Sequence, residues 1–375
     1  MKKIRILFLI NSLGGGGAER VLVNLVNNMD QSVFDITVET MFSGGVNRDL
    51  LAPHVNYFCK NAFTIKGISH IYKFLSPKYL YRKFIGNEHY DIIVAYMHNL
   101  PIKVISGAGK DSAKLVGWCH CGTVRRETYC TCWTTKNKAN NAYNKCDVLV
   151  GVSKQVVSEL NKFFKIDSKT AVIYNTNDTK YIKRMAMKES ELKIDKSYIS
   201  ICTVGRFAFE KGNDRLLDVA ARLTEQGYAF NLYFIGDGAQ KEKLAAKAKD
   251  MGLDNHCHFL GFQKNPYAIV QQCDLFVCPS REEGFSTAVT EAIILGKPVV
   301  STDVSGAKEI LGDNNEYGLV VENSVDGLYG GIKEFLDSPK LLENYEIRAQ
   351  KRSALFNTGM TVQATEDLFV RLMGG

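Results

Sequence analysis

Two glutamates eight positions apart, Glu283 and Glu291, sit on either side of a predicted helix start. A short apolar run, Leu275 to Cys278, ends in a polar loop that holds Glu283. A helical pattern opens at Ser286 and closes at Gly296-Lys297-Pro298, with Glu291 inside it. The backbone N–H groups of Phe285, Ser286 and Thr287 would be donors without helical partners at a positive dipole end, which suits a diphosphate. Two carboxylates would repel a bare phosphate. They suit a phosphate that carries hydroxyls on both sides, and a nucleotide-sugar has that layout. Two cations in another loop, Gly205-Arg206 to Lys211-Gly212, could neutralise a departing diphosphate.

These loops need strands behind them, and the chain supplies strand–helix alternation throughout. Strands are predicted at Ile4–Ile10 and near 34–40, 55–58, 91–96, 115–119, 147–152 and 171–174, with helices at 18–29 and 154–164. The segment 175–198 turns charged and weakly patterned and is taken as the domain boundary. A second series follows, with strands at 198–204, 230–235, 257–260, 274–278, 298–301 and 318–321. Helices lie between these strands, and the tail 325–373 reads as helical throughout. Such alternation predicts α/β architecture: two Rossmann-like, doubly wound parallel sheets facing a cleft. At 375 residues the chain is long enough for two cores.

Charge is unevenly shared. Residues 1–180 hold 24 Lys+Arg against 13 Asp+Glu, and residues 181–375 hold 23 against 27, so the basic character belongs to the first half. That favours an anionic partner there. Within 62–87, Lys66, Lys73, Lys78, Arg82 and Lys83 interleave with Phe63, Tyr72, Phe74, Tyr79, Tyr81 and Phe84 without an acidic residue before Glu88. A peripheral contact with an anionic membrane and a half-buried helix with a solvated basic face both fit. No nucleic-acid module accompanies the stretch, so nucleic acid is not expected as a partner. No apolar run reaches membrane-span length, and MKKIRILFLI reads as a first strand rather than a signal peptide. A cytoplasmic protein, peripheral at the inner face of the plasma membrane, is expected. Five clustered cysteines, Cys119, Cys121, Cys130, Cys132 and Cys146, lack the usual zinc spacing and read as reduced, partly buried thiols.

The spacing from Glu283-Gly284-Phe285 to Glu291-Ala292 resembles the paired-glutamate motif of the retaining glycosyltransferases of family 4, which have the GT-B fold. GRFAFEKG at 205–212 is similar to the family's Gly-Arg…Glu-Lys-Gly motif, and GGAER at 16–20 to its first glycine loop. The resemblance implies that Glu283 meets the donor-sugar hydroxyls and Glu291 the ribose. Arg206 and Lys211, beside Gly205, would hold the leaving diphosphate in place of a metal ion. It places Gly16 and Gly17 where acceptor and donor phosphates meet, and Asp237, Gly261 and Phe262 beside base and ribose. Gly284, Phe285, Ser286 and Thr287 complete the donor site, and His120, in Trp-Cys-His-Cys-Gly, would contact the donor sugar. Ser305, in Val304-Ser305-Gly306, stands where relatives often carry a glycine.

The implied activity is metal- and cofactor-free sugar transfer, with retention, from a UDP-sugar rather than a GDP-sugar. The acceptor would be a glycan, lipid-linked, in cell-surface polysaccharide synthesis. The implied domains are 1–180 for the acceptor and 181–355 for the donor, with a final helix, about 356–375, returning to the first. Two rivals remain: a nucleotide-cofactor oxidoreductase using the first glycine loop, and a non-catalytic glycosyltransferase-like subunit. The first leaves Glu283 and Glu291 without a task, and the second predicts a damaged site where the expected residues are all present.

Overall fold

The computed structural model describes residues 2–61, 71–109, 113–122, 126–190 and 192–374. Its β-branched and aromatic runs form two fully parallel sheets, of seven and six strands. The first comprises β1 (Ile4–Ile10), β2 (Phe34–Thr40), β3 (Asn56–Cys59), β4 (Ile92–Ala95), β5 (Lys114–Cys119), β6 (Val148–Gly151) and β7 (Lys169–Val172). Their order is β3-β2-β1-β4-β5-β6-β7. The second comprises β8 (Ile199–Val204), β9 (Phe230–Ile235), β10 (Cys257–Gly261), β11 (Leu275–Cys278), β12 (Val299–Thr302) and β13 (Leu319–Val321), in the order β10-β9-β8-β11-β12-β13. Parallel strands need helical crossovers, which bury both sheet faces; hence Ile6 to Leu9 of β1 are fully buried.

Each order reverses once, between β1 and β4 and between β8 and β11. Loops leaving the two strands at a reversal part to opposite faces and open a crevice at the carboxyl edge, the ligand-binding position of open α/β sheets.

The sheets belong to two compact units. One holds the chain through Thr176 together with the helix Thr358–Leu372, and the other holds Asn177–Asn357. The last helix packs in the first unit because Phe369 is buried beside Phe8 and Phe34, with ring centroids 6.0 and 6.4 Å apart. Glu366 also accepts from the Asp30 amide at 2.6 Å.

Several sequence expectations shift. Segment 175–198 is not a patternless linker, because Asp178 accepts from the Tyr181 amide at 2.9 Å and caps a helix, Thr179–Ala186. Ile182 and Ala186, four apart, are its buried stripe, and Lys183 and Arg184 between them mask the period. The tail is three helices, Val325–Asp337, Pro339–Ser353 and Thr358–Leu372, rather than one continuous run. Pro339 starts the second, and a tight turn at Ala354–Phe356 separates it from the third. Short helices at Pro77–Phe84 and Lys136–Tyr143, capped by Ser76 and Thr135, had signals that the strand pattern obscured.

Part of the basic aromatic stretch, 62–70 with Phe63 and Lys66, lies outside the described residues. In the remainder, Tyr72, Leu80 and Phe84 are core residues, while Phe74, Tyr79, Lys78, Arg82 and Lys83 are exposed. Among the described residues no helix is long and apolar enough to cross a membrane. All ten cysteines are free, and burial holds the Cys119 and Cys132 thiols up at about 12. The eight buried ones pack as small apolar groups, while Cys59 is exposed and Cys121 half-buried.

Glu39 on β2 is 3% exposed; Lys60 approaches it at 3.9 Å, and its Oε1 has no partner among the described residues. Burial, only partly offset by Lys60, raises its carboxyl from 4.5 to about 7. Between those values the folded chain keeps a proton that the unfolded chain releases, so stability falls as pH rises through that window and is level above it. Glu39→Gln is expected to stabilise the protein by about 2–3 kcal/mol near pH 8. Urea titrations checking this should show the gap closing as the pH drops toward 4.5.

Candidate active site

The loops leaving β8 and β11 carry Arg206, Lys211 and Glu283, so these residues flank the second sheet's reversal. Lys211 Nζ donates to Glu283 Oε1 at 2.7 Å, and Ser280 Oγ donates to the same oxygen at 2.7 Å. The two ion-paired side chains are only 27% and 11% exposed. Burial lowers the Lys211 pKa, but Glu283 more than offsets it and leaves the ammonium above its ordinary value of 10.5. Lys211 therefore keeps its positive charge, held beside the Glu283 side chain.

The frame around this pair is stiff. Gly212 has φ +68°, and a Cβ there would strike the Pro279 carbonyl, so the two loops meet backbone to backbone. The Arg281 amide donates to the Glu210 carbonyl at 2.8 Å. Its guanidinium forks onto both Asp214 oxygens at 2.7 Å and lies 4.1 Å over the Phe209 ring. Sequence reading missed Arg281 and Asp214. They lie 67 positions apart, and nothing local announces the pair.

Arg206 is 66% exposed on its side chain, and its Nη2 lies 3.2 Å from Glu210 Oε1. An exposed pair of this kind is worth about 0–1 kcal/mol, so a phosphate can draw the guanidinium away cheaply. The ends of β8, β9 and β10 lie side by side. Gly236, at φ +144°, would place a Cβ on the Gly205 carbonyl, and its amide donates to the Gly261 carbonyl at 2.9 Å. Asp237 Oδ1 accepts from the Gly238 amide at 2.8 Å, and its Oδ2 lies 3.4 Å from Lys241 Nζ. Phe262, next to Gly261, is 62% exposed.

Ser286 Oγ accepts from the Val289 amide at 3.4 Å and caps the helix Thr287–Ile294. Phe285 is buried, 6.4 Å from the Phe356 ring, and Gly306 abuts its ring and the Gly284 carbonyl. The Phe285 side chain thus anchors the helix mouth, and Ser305, next to Gly306 in the chain, is buried. Glu291 Oε1 accepts from the Tyr267 hydroxyl at 2.9 Å. Tyr267, on the helix Pro266–Gln272, is another residue the sequence did not announce.

In the first unit Gly16 is the N-cap of the helix Gly17–Asn28. A Cβ at Gly16 would collide with the Glu19 carboxylate, so the glycine loop cradles an anionic group of its own chain. His120 follows β5, its ring 4.7 Å from Tyr96, with both nitrogens buried and without a partner among the described residues. Burial, joined by the charge of His98, pushes its pKa down to about 3. The ring is neutral at any working pH. The structure thus gathers Arg206, Lys211, Glu283, Glu291 and the β8–β10 loops on one sheet edge. Gly16, Gly17 and His120 share the corresponding edge of the other sheet.

Two family models match nearly the whole chain: Glycosyltransferase Family 4 over residues 15–181 and Glycosyl transferases group 1 over residues 186–352. The chain belongs to the group 1 glycosyltransferases. One relative, the N-acetylgalactosamine-N,N'-diacetylbacillosaminyl-diphospho-undecaprenol 4-alpha-N-acetylgalactosaminyltransferase of Campylobacter jejuni, is 29% identical over 385 residues and all of both chains. The putative glycosyltransferase EpsD of Bacillus subtilis is 26% identical over 44% of this chain and 43% of its own.

Among solved structures, Anabaena HepE in complex with UDP and glucose superposes with a TM-score of 0.77 at 20% identity, covering 98% of this chain and 99% of HepE. Sucrose-phosphate synthase from Thermosynechococcus elongatus superposes at 0.78 with 16% identity, covering 99% and 100%. At these identities the likeness is one of fold: this glycosyltransferase has the two Rossmann-like parallel-sheet domains of GT-B enzymes.

Proposed function

We propose that this glycosyltransferase moves a sugar from a UDP-sugar, with retention of anomeric configuration and without a metal ion, to a saccharide carried on a lipid diphosphate. The observation that carries the reading is the Lys211–Glu283 pair at the β8/β11 reversal, 2.7 Å apart and largely buried. A fixed ammonium beside a fixed carboxylate can hold a phosphate and, next to it, a sugar hydroxyl. Lys211, with Arg206 swinging from Glu210, stabilises the departing diphosphate. Gly205 and the Ser286 and Thr287 amides at the helix mouth add to that phosphate site. Glu283 orients the donor sugar, and Glu291, steadied by Tyr267, takes the ribose hydroxyls. Asp237, Gly261 and Phe262 border the base, while Gly16, Gly17 and His120 are sugar contacts. The diphosphate oxygen that departs takes the acceptor proton on the same face, which gives retention.

HepE bound to UDP supports the choice of donor, and the Campylobacter relative's undecaprenol-diphosphate substrate supports the acceptor. The exposed Phe74, Tyr79, Lys78, Arg82 and Lys83 favour meeting that acceptor on the cytoplasmic face of an anionic membrane. The test is transfer from α-configured UDP-sugars to undecaprenyl-diphosphate-linked saccharides in anionic liposomes, with EDTA present. NMR should show an α-linked product, formed roughly tenfold or more faster than on the free saccharide. A β-linked product, or a rate that collapses with EDTA and returns with magnesium, would sink the mechanistic part of the reading.

A further inference from the structure

After β4, which neighbours β1 at the first sheet's reversal, the chain turns through Tyr96-Met97-His98-Asn99. Asn99 sits at φ 71°, ψ −105°, a conformation that costs a non-glycine residue about 1–3 kcal/mol. Its surroundings impose it. The Asn99 amide donates to the Tyr143 hydroxyl at 3.0 Å, and Nδ2 donates to the Thr128 carbonyl at 3.1 Å. Oδ1 accepts from the Cys132 amide at 3.1 Å and its thiol at 2.6 Å. Such over-determined strain clusters where a side chain must be held for use.

The side chain presented just before it is His98. Its ring stacks on Tyr129 with centroids 4.5 Å apart and planes 20° apart, yet Nδ1 is buried without a partner among the described residues. His120 follows β5, the strand paired with β4, and among the described residues both its ring nitrogens also lack a partner. His98 and His120 each stand three residues past a paired position of these two strands, Ala95 opposite Gly117. Each unsatisfied buried nitrogen costs about 1–3 kcal/mol, and phenylalanine would fill the same space without that loss. Strain and three orphaned nitrogens at one ligand-binding edge mark a site built for binding rather than for packing.

We propose that His98 is a substrate ligand whose imidazole hydrogen-bonds a hydroxyl of the acceptor sugar beside His120, with Asn99 holding it in place. This rests on the glycosyl-transfer reading above. Diphosphate, donor sugar and ribose already have groups assigned to them, His120 among those for the donor sugar, so the sugar left for His98 to recognise is the acceptor. A sugar hydroxyl both donates and accepts, and an uncharged imidazole offers one of each. Burial keeps His98 uncharged by lowering its pKa to about 4.

The test compares His98→Phe and His98→Gln with wild type in the full chain, using UDP-sugar and undecaprenyl-diphosphate-linked saccharide. Phenylalanine keeps the stack on Tyr129 and removes the nitrogens. It should cut kcat/KM for the acceptor roughly tenfold or more while leaving UDP affinity within about twofold and the melting temperature no lower. Glutamine, whose amide restores a donor and an acceptor, should recover part of the loss. Wild-type acceptor kinetics in His98→Phe would overturn the proposal. So would a loss shared by UDP affinity and melting temperature, which would mark a structural role. If wild type itself moves no sugar from any UDP-sugar, the transfer reading falls first and this proposal falls with it.

Discussion

Lys211→Met is expected to lower the rate of sugar transfer by roughly a thousandfold. The substitution keeps the length of the stem and removes only the ammonium. One consequence is electrostatic: the charge that builds on the departing diphosphate loses its most enclosed donor, where water is too scarce to substitute. The other falls on Glu283, which is 11% exposed and keeps only the Ser280 hydroxyl at 2.7 Å of its two close donors. A buried carboxylate stripped of its cation costs about 3–5 kcal/mol or takes up a proton, and either way stops orienting a sugar hydroxyl as an anion. Lys211→Arg should rescue little, since a planar fork cannot occupy the place of a compact ammonium. Steady-state UDP release measures both variants. A Lys211→Met enzyme within about tenfold of wild type would remove this pair from the mechanism.

The second large effect concerns stability. Lys103 is 2% exposed in the first unit, and its ammonium donates to the carbonyls of Tyr72, Lys73 and Cys132 at 2.8, 3.0 and 2.9 Å. The Trp133 ring lies 5.1 Å below it. Burial lowers its pKa, yet three carbonyl acceptors make the charged form tolerable. Lys103→Met fills nearly the same volume and leaves those carbonyls without their donor, at a cost of about 3 kcal/mol or more. Lys103→Ala adds a cavity and should cost more still. Chemical denaturation measures both. A Lys103→Met protein within about 1 kcal/mol of wild type would show that water or a backbone shift replaces the ammonium.

Lys103 also shows where sequence reading stops. It reads as one more positive residue of a basic half, and only the fold puts it beneath Tyr72 and Cys132. The strands were legible because parallel strands buried on both faces are continuous apolar runs, as at Ile4–Ile10 and Phe230–Ile235. The loops Gly205–Gly212 and Glu283–Glu291 were legible because motifs of fixed spacing carry them, and the structure puts both at one reversal of strand order. Long-range partners were not. The Arg281–Asp214 fork, the Tyr267–Glu291 bond and the Asn99 hub all join residues at least 24 positions apart, which no local period encodes. The helix Thr179–Ala186 hid for another reason, since its buried stripe is only two residues wide among lysines. His98 was passed over because a lone histidine carries no pattern. Its significance comes from the neighbours that leave it unsatisfied.

The central claim is that the β8/β11 reversal binds a nucleotide-sugar and expels its diphosphate. Release of nucleoside diphosphate from a panel of UDP-, GDP- and ADP-sugars, with Glu283→Ala and Arg206→Ala beside wild type, tests it most directly. The account predicts turnover of a UDP-sugar by wild type and its loss in both variants. Turnover that survives both substitutions, or no turnover with any donor alongside tight binding of NAD, would contradict it.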